Sequence, residues 1–300
     1  MFSVAHPIER LVHNTVADGC DAVDTVESES ATRLENTKGR VRIAIDTFGE
    51  PAWRDAVIQQ LHTWHVRANV ASRAYHKMYD IIRTCVLEAS RSAHLCEAPG
   101  GFVQACIDSF PGIVWRAQSV ANGPTFHGSL PSDRIRTGDL LDHDEQQSLV
   151  DAWLEDGAYD LVTGDGAAAM DHEQLEQEAY PLCAAQWHVA LRLLAPGGAV
   201  VLKLFEINTL PTMQLVAQAA HCFDEVSIIK PLWSRPTNSE RYLVAMGFDP
   251  RRATKSLPES FPRSWAATTR AVIDHMNLEQ IKALDVCLTK TRERRKRRGH

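Results

Sequence analysis

The chain has 300 residues, a formal net charge of −6, 44% apolar and 23% charged residues, which is an ordinary globular composition for one large domain with extensions or two small ones. No run approaches the roughly 20 apolar residues of a membrane span, the N-terminus has no signal-peptide core, and the seven cysteines are scattered without CxxC pairs or zinc spacing. We therefore expect an intracellular protein, nuclear or cytoplasmic and of cellular or viral origin, with reduced thiols, no metal site and no membrane partner.

The charge is unevenly distributed. Residues 286–300 hold seven Lys and Arg against one Glu, so this tail carries +6 and the remaining chain carries −12. Such a run cannot form a core. It is either a solvated helix end or an arm that contacts phosphates or acts as a transport signal, with nucleic-acid contact slightly favoured.

The chain begins with a segment of weak periodicity. Residues 1–50 are expected to form an extension, partly disordered, because residues 18–35 are acidic and rich in Ser and Thr. Over residues 53–87 apolar side chains recur at three- and four-residue steps, which predicts helices. On the second of these helices Arg73 and Lys77 share one face, which by itself indicates a solvated surface.

A strand, a tight loop and a helix are predicted around residues 93–110. The apolar run up to Cys96 ends on Glu97, passes through Ala-Pro-Gly-Gly and resumes at Phe102. Glycines allow a sharp turn or close approach of a ligand, and the helix N-terminus offers unpaired N–H groups. Two adjacent glycines are not the three-glycine dinucleotide fingerprint, which argues against a nicotinamide oxidoreductase. By itself the pattern is equally typical of a plain βα connection.

Apolar runs and helical segments alternate in the rest of the chain. The predicted strands are 112–117, 135–141, 159–164, 198–205, 225–230 and 241–248, and the predicted helices are 144–155, 173–194 and 211–223. This alternation predicts a mostly parallel, doubly wound α/β sheet. In such sheets ligands bind beyond the C-terminal ends of the strands.

Three charged residues are expected to converge at that edge. Asp165 ends one strand, Lys203 lies inside an apolar strand, and Glu240 begins the last strand. A lysine in an apolar strand is costly unless it has a partner or a task. The three residues therefore predict either an active site or a structural ion-pair cluster.

Five segments occur in a fixed order along the chain, and they are SRAYHK at 72–77, LCEAPGGF at 95–102, DLVTGDG at 160–166, LAPGGAVVLKLF at 194–205 and KPLWSRPTNSERY at 230–242. In this order they resemble the FtsJ-like family of S-adenosylmethionine-dependent RNA ribose 2'-O-methyltransferases. The resemblance covers about residues 67–248. It implies a Rossmann-like, seven-stranded sheet of the class I methyltransferase type with the last strand antiparallel, here as a domain at 51–249 between an N-terminal extension and a helical appendage at 250–300.

The resemblance also implies the catalytic residues. The family works with a Lys-Asp-Lys-Glu tetrad, and the matching positions are Lys77, Asp165, Lys203 and Glu240. We interpret Lys203, neutral when productive, as the base that accepts the 2'-hydroxyl proton, with Asp165 placing the methyl group and Lys77 and Glu240 orienting Lys203 and the ribose. Burial and Lys77 are expected to lower the pKa of Lys203, while Asp165 and Glu240 oppose this.

Cofactor-binding residues follow from the same resemblance. The expected set is Glu97, Ala98, Pro99, Gly100, Gly101, Phe102, Asp139 and Asp165, with Asp139 as the partner of the adenine amino group. Many relatives have an acidic residue after the second strand that accepts both ribose hydroxyls, and this chain has none there. Gln118 and Asn122 both remain candidates.

The substrate is expected to be RNA, and capped mRNA is favoured. The CEAPGGF loop at 96–102 and the SRPTNSE run at 234–240 resemble those of mRNA cap methyltransferases. Together with the long part that precedes Lys77, they distinguish the chain from compact members that modify ribosomal RNA. Arg73, Arg235 and Ser239 are the expected substrate-binding residues, and Trp64, Trp187, Trp233 and Trp265 are candidates for base stacking or for the core. Methylation of ribosomal or transfer RNA and a non-catalytic RNA-binding module remain the alternatives.

Overall fold

A computed structural model describes residues 8–12, 28–58, 69–166, 175–253 and 263–298. The strands of this part of the chain are β1 Ile8–Val12, β2 Arg91–Leu95, β3 Val114–Ser119, β4 Ile135–Thr137, β5 Tyr159–Gly164, β6 Leu194–Leu204, β7 Glu225–Ile229 and β8 Arg241–Met246. The helices are α1 Glu29–Phe48, α2 Glu50–Ile58, α3 Ala74–Cys85, α4 Gly101–Ser109, α5 His143–Leu154, α6 Leu175–Leu193, α7 Leu210–Cys222, α8 Pro250–Ala253 and α9 Arg263–Arg298, with a 3-10 turn at Ser132–Arg134.

The strands form one mixed sheet in the order β1-β7-β8-β6-β5-β2-β3-β4. The neighbours from β4 to β6 are parallel, and β8 lies antiparallel between β6 and β7. The predicted seven-stranded sheet with an antiparallel last strand is confirmed. In addition β1, which the sequence did not predict, pairs antiparallel with β7 and forms one edge of the sheet.

Helices cover both faces of the sheet. One face carries α3 and α4, with Met78 and Phe102 in its core, and the other carries α5, α6 and α7, with Trp187 at its centre. Because strand side chains alternate between faces, Val201 lies on the α3 side and Leu202 on the α6 side. The same alternation directs Lys203 to the α3 side.

The two terminal extensions fold together. Leu34 and Val41 of α1 pack against Ile281 and Leu284 of α9 in a separate small core. This helix corrects the expectation of a loosely docked segment at 29–35. Its apolar stripe is narrow, with the polar Ser30 and Thr37 among its buried positions, and this is why periodicity did not predict it.

Some predictions lie outside the described residues. They include the order of residues 1–7 and 13–27, the position of Trp64 and the side chain of Trp265. Within the described part, no helix is both long and apolar enough to cross a membrane, and no cluster of His, Cys, Asp or Glu could hold a metal ion.

Candidate active site

Lys77 and Glu240 form the first ion pair at the C-terminal edge of the sheet. The Lys77 Nζ atom lies 2.7 Å from Oε1 and 2.8 Å from Oε2 of Glu240, and the Ser234 hydroxyl donates to Oε1 at 2.8 Å. Burial would raise the pKa of Glu240, but the ammonium groups of Lys77 and Lys203 lower it to about 2. Lys77 is therefore held in the site, and the solvated-face interpretation is wrong.

Lys203 and Asp165 form the second pair. The Lys203 Nζ atom donates to the backbone oxygen of Asp165 at 2.6 Å and lies 3.2 Å from its Oδ1. The hydroxyl of Tyr242 donates to the same Oδ1 at 2.8 Å, and the strand register places Tyr242 beside Lys203. The four tetrad residues thus come together as two ion pairs, and Tyr242 lies beside both, with Lys77 Nζ 6.0 Å from its ring centre.

The folded structure decides between the opposing influences on the pKa of Lys203. Burial acts to lower the pKa of Lys203, but Asp165 and Glu240 outweigh it, so that the net shift is upward. Two carboxylates surround this amine on the folded sheet, whereas Lys77 is already paired with Glu240. The raising effect of the two carboxylates, which the sequence set against the lowering effects of burial and Lys77, is therefore the larger of the two.

One face of α3 holds the loop that precedes β8. The Asp80 carboxylate accepts the Leu232 N–H at 2.8 Å, and the His76 ring stacks on the Trp233 indole with centroids 4.3 Å apart. Arg73 donates to the Trp233 backbone oxygen at 3.2 Å. Residues three, four and seven apart share a helix face. Arg73, His76, Lys77 and Asp80 have this spacing, and they therefore contact the loop from the same side.

The loop after β2 is shaped by close backbone packing. Gly100 has φ +102°, which favours glycine, and a Cβ on Gly101 would lie 2.7 Å from the backbone nitrogen of Tyr75. The Phe102 N–H donates to Glu97 Oε1 at 2.6 Å. The missing side chain of Gly101 therefore lets α3 pack beside the loop, and the contact of this loop with a cofactor stays a prediction.

Glu97 keeps one oxygen without a partner. Its side chain is buried, and Oε2 meets no hydrogen-bond donor among the described residues. Burial raises the pKa of Glu97 well above its usual range, and the nearby Asp165 adds to this shift, while the Phe102 N–H opposes it. An unpaired buried carboxylate oxygen is costly, so the position suits a ligand that brings a donor.

The candidates for holding a cofactor ribose are distinguished by their contacts. The Gln118 amide accepts the Cys96 N–H at 3.1 Å and donates to the Gly138 oxygen, and its side chain is buried. Asn122 is exposed on the loop after β3. Asp139 is also exposed and accepts a backbone N–H, from Leu141, at 2.9 Å. Asn122 and Asp139 thus remain accessible beyond neighbouring strand ends, while Gln118 ties the backbone together.

The expected substrate residues fall into two groups. Arg73 and Arg235 are both exposed, and partial desolvation, followed by the positive charge of Arg235, lowers the pKa of Arg73. Ser239 is buried with its hydroxyl between Glu206 and Gln280, so it holds the loop rather than facing a substrate. Of the tryptophans, Trp187 is a core residue, and Trp233 is partly exposed beside the arginines.

Two residues of the site were not assigned a role from sequence. Tyr242 and Lys230 belong to the segment that resembles the family, but no periodicity signals a function for either. Tyr242 is fully buried, and burial, followed by the charge of Asp165, raises its pKa well above the usual range. The order of residues in the segment is the only sequence signal that could have found them.

Comparison with known proteins gives a consistent result. The family model of FtsJ-like methyltransferases matches residues 70–248. The chain is similar to cap-specific mRNA (nucleoside-2'-O-)-methyltransferase 1 of Trypanosoma brucei brucei, with 28% identity over 76% of this chain and 69% of the relative. The corresponding protein of Trypanosoma cruzi has 29% identity over 76% and 70%. Cap-specific mRNA (nucleoside-2'-O-)-methyltransferase 2 of Drosophila melanogaster has 28% identity over 68% of this chain but only 33% of the relative.

Proposed function

The chain belongs to the FtsJ-like methyltransferase family, and from this premise we propose that it methylates the ribose 2'-hydroxyl of the first transcribed nucleotides of capped mRNA. The methyl donor is S-adenosylmethionine. The observation that carries the proposal is the meeting of Lys77, Asp165, Lys203 and Glu240 as two adjacent ion pairs at one sheet edge. The relatives named as cap-specific mRNA methyltransferases favour a capped substrate over ribosomal or transfer RNA.

The residues around the β2 loop fit S-adenosylmethionine. The unpartnered Oε2 of Glu97 would accept a hydrogen bond from its amino group. Asn122 and Asp139 would contact the ribose and the adenine, since both are accessible beyond neighbouring strands. Bound there, the cofactor supplies a methyl group on a cationic sulfonium. Asp165 is the carboxylate beside which that positive charge would be stabilised.

Lys203 is the proposed base. A ribose hydroxyl is a poor nucleophile until it loses its proton, and Lys203 is the amine at the centre of the site. The raised pKa means that Lys203 must first lose its ammonium proton to solvent water before its nitrogen can accept the proton of the 2'-hydroxyl. A cationic sulfonium beside Asp165 would offset the carboxylate charge that stabilises the ammonium, and would so lower the pKa of Lys203. Lys77 and Glu240 then orient Lys203 and the ribose.

Arg73 and Arg235 are the proposed phosphate contacts. They lie close enough to repel one another, and neither forms an ion pair with a carboxylate of the described residues. Phosphates of an RNA strand would relieve this repulsion. Trp233, held by His76 and partly exposed, is the proposed stacking surface for a base.

The test is transfer of labelled methyl from S-adenosylmethionine to matched capped and uncapped short RNAs. Lys203→Ala is the blank, and Lys282→Ala, an exposed lysine of α9, is the control. Label appearing as 2'-O-methyl on capped RNA alone supports the proposal. Equal labelling of uncapped RNA would assign the enzyme to ribosomal or transfer RNA, and no label above the blank would indicate a binding module.

A further inference from the structure

Lys230 is a lysine of the site region that lies outside the tetrad. It follows β7 directly and begins the loop 230–240, which ends at Glu240. Its Nζ atom donates to the backbone oxygen of Asn238 at 2.6 Å, to the Oδ1 atom of Asn238, and to the backbone oxygen of Glu240 at 2.8 Å. The ammonium group therefore joins the first residue of the loop to Asn238 and Glu240 at its end.

The bonding of this amine is complete only in its charged form. Three acceptors surround one nitrogen, and only an ammonium has three N–H donors. Holding the charge is costly because burial, together with Arg241 and Lys77, lowers the pKa of Lys230 to about 7, although Glu240 opposes this. Both carboxylate oxygens of Glu240 face Lys77 and not Lys230. A lysine kept here at such a cost indicates a role in the loop.

The loop is held from its outer side as well. Gln280 of α9 donates to the Thr237 oxygen at 3.3 Å and to the Ser239 hydroxyl at 3.1 Å. Between α9 and the loop lies a cavity of about 260 Å³, lined in part by Lys230, Pro236 and Met276. Removal of the Lys230 side chain would leave a space that opens into this cavity.

We propose that Lys230 is a positioning residue for methyl transfer, which sets the Glu240 carboxylate against Lys77 by tying the Asn238 and Glu240 backbone to the end of β7. The inference rests on the proposed function of the same site. Without the ammonium, the backbone oxygens of Asn238 and Glu240 lose this donor, Asn238 Oδ1 keeps only the Ser234 hydroxyl, and the backbone that carries Glu240 is no longer tied to Lys230. Lys77 and Glu240 then no longer share one fixed geometry.

The first test compares Lys230→Met with Lys282→Met, which removes an exposed lysine on the rim of the same cavity. Lys230→Met is expected to lower kcat by about 10²-fold, the effect of a small displacement of a catalytic group. Binding of S-adenosylmethionine should stay unchanged because three strands of the sheet separate β7, which Lys230 follows, from β2, which the Glu97 loop follows. Wild-type kcat in Lys230→Met, or an equal loss in cofactor binding, contradicts the inference.

A double-mutant cycle tests whether Lys230 acts through Glu240. In a Glu240→Ala background, Lys230→Met should cost no further activity, since the group that it positions is absent. An additional loss of the full 10²-fold would show that Lys230 acts by another route.

Chemical rescue tests the ammonium itself. In Lys230→Ala, n-propylamine should recover activity through the adjoining cavity, whereas n-propanol at the same concentration should not. Recovery by both compounds or by neither contradicts the inference.

Hydrogen exchange gives a measurement that does not depend on activity. The backbone amides of residues 234, 235 and 237–240 should exchange faster in Lys230→Met than in wild type and should be unchanged in Lys282→Met. Unchanged exchange in both variants overturns the inference even if the wild type shows no methyl transfer. A wild type that transfers no methyl contradicts the proposed function instead.

Discussion

Two loops at the same sheet edge are fixed in different ways. The loop 97–102 after β2 is set by its backbone, because Gly100 has a left-handed conformation and Gly101 leaves room for α3. The loop 230–240 before β8 is set by side chains, from α3 on one side, α9 on the other and Lys230 within. The first loop faces the proposed cofactor, and the second carries Glu240.

This difference separates two kinds of sensitivity. A loop held by close backbone contact tolerates no added volume but needs few charges. A loop held by ion pairs and hydrogen bonds tolerates changes of volume but depends on protonation and on each partner. Substitutions should therefore divide into those that affect cofactor binding and those that affect transfer.

The largest expected effect is on methyl transfer, and it should separate transfer from cofactor binding most clearly. Lys203→Ala removes the proposed base and should lower kcat by about 10²- to 10⁴-fold, the usual contribution of general base catalysis. Cofactor binding should be retained because the loop 97–102 is unchanged. Calorimetric titration with S-adenosylmethionine and the labelled-methyl assay measure the two quantities. Near-native turnover in Lys203→Ala would remove the assignment of the base.

Glu240→Gln should reveal the charge dependence of the second loop. The pKa of Glu240 is lowered to about 2 in the folded state, so its contribution of about 3 kcal/mol is complete above its unfolded pKa of about 4.5 and is lost as the pH falls towards 2. The difference in free energy of unfolding between wild type and variant should shrink by about 1.4 kcal/mol per pH unit below 4.5.

Urea unfolding at pH 6.0 and at pH 3.5 measures this difference. The matched control is Glu279→Gln, whose carboxylate forms an exposed pair with Lys282 and should contribute little. A difference that does not change with pH would show that the Lys77–Glu240 pair is not the source of the stabilisation.

Gly101→Ala should test the first loop, where added volume rather than a lost charge is expected to be harmful. The added Cβ would lie 2.7 Å from the Tyr75 backbone nitrogen and 3.0 Å from the Ala74 Cβ. We expect a loss of about 1–3 kcal/mol in stability and weaker cofactor binding. Gly39→Ala in α1 is the control, since no atom lies within 4 Å of its added Cβ, and it should be neutral or slightly stabilising. Equal behaviour of the two variants would contradict the backbone argument.

Arg235→Ala should weaken RNA binding without changing the conformation of either loop. Loss of one phosphate contact is expected to raise the KM for RNA about 10-fold and to reduce the dependence of binding on salt. The exposed Arg251 of α8 provides the control variant Arg251→Ala. The assay is binding of short RNA between 50 and 200 mM salt, and an unchanged salt slope would exclude Arg235 from phosphate contact.

The basic tail should give the smallest effect. Replacement of the arginines at 294, 295, 297 and 298 by Gln is expected to weaken RNA binding at low salt and to leave kcat unchanged. The measurement is the same salt series. Identical binding of the variant and wild type would assign the tail to another role, such as transport.

Several features of the fold and the site were predictable from local sequence. The alternation of apolar runs and helical segments predicted the sheet, and the strand ends predicted the meeting of Asp165, Lys203 and Glu240. Lys77 required the family resemblance, because a lysine on a helix is usually solvated and only its position over β8 makes it a partner of Glu240.

Other features depended on contacts between distant segments. Ser239 is adjacent to Glu240 in sequence, yet its hydroxyl is bound by Glu206 and by Gln280 of α9. The net shift of the Lys203 pKa depends on the distances to two carboxylates, which sequence spacing does not give. The docking of α1 on α9 depends on a stripe too narrow for a periodicity signal.

The sequence alone therefore determined the sheet, the order of the motifs and the types of residue at its edge, because these follow from local periodicity and from strand polarity. The tertiary structure decided which side chains are bound to one another, and hence that two carboxylates raise the pKa of Lys203, that Gln118 and Ser239 bond to neighbouring protein groups, and that Lys230 bonds to the loop of Glu240. Hydrogen bonds and charge interactions act over a few ångströms, and only the folded chain brings those groups within that range.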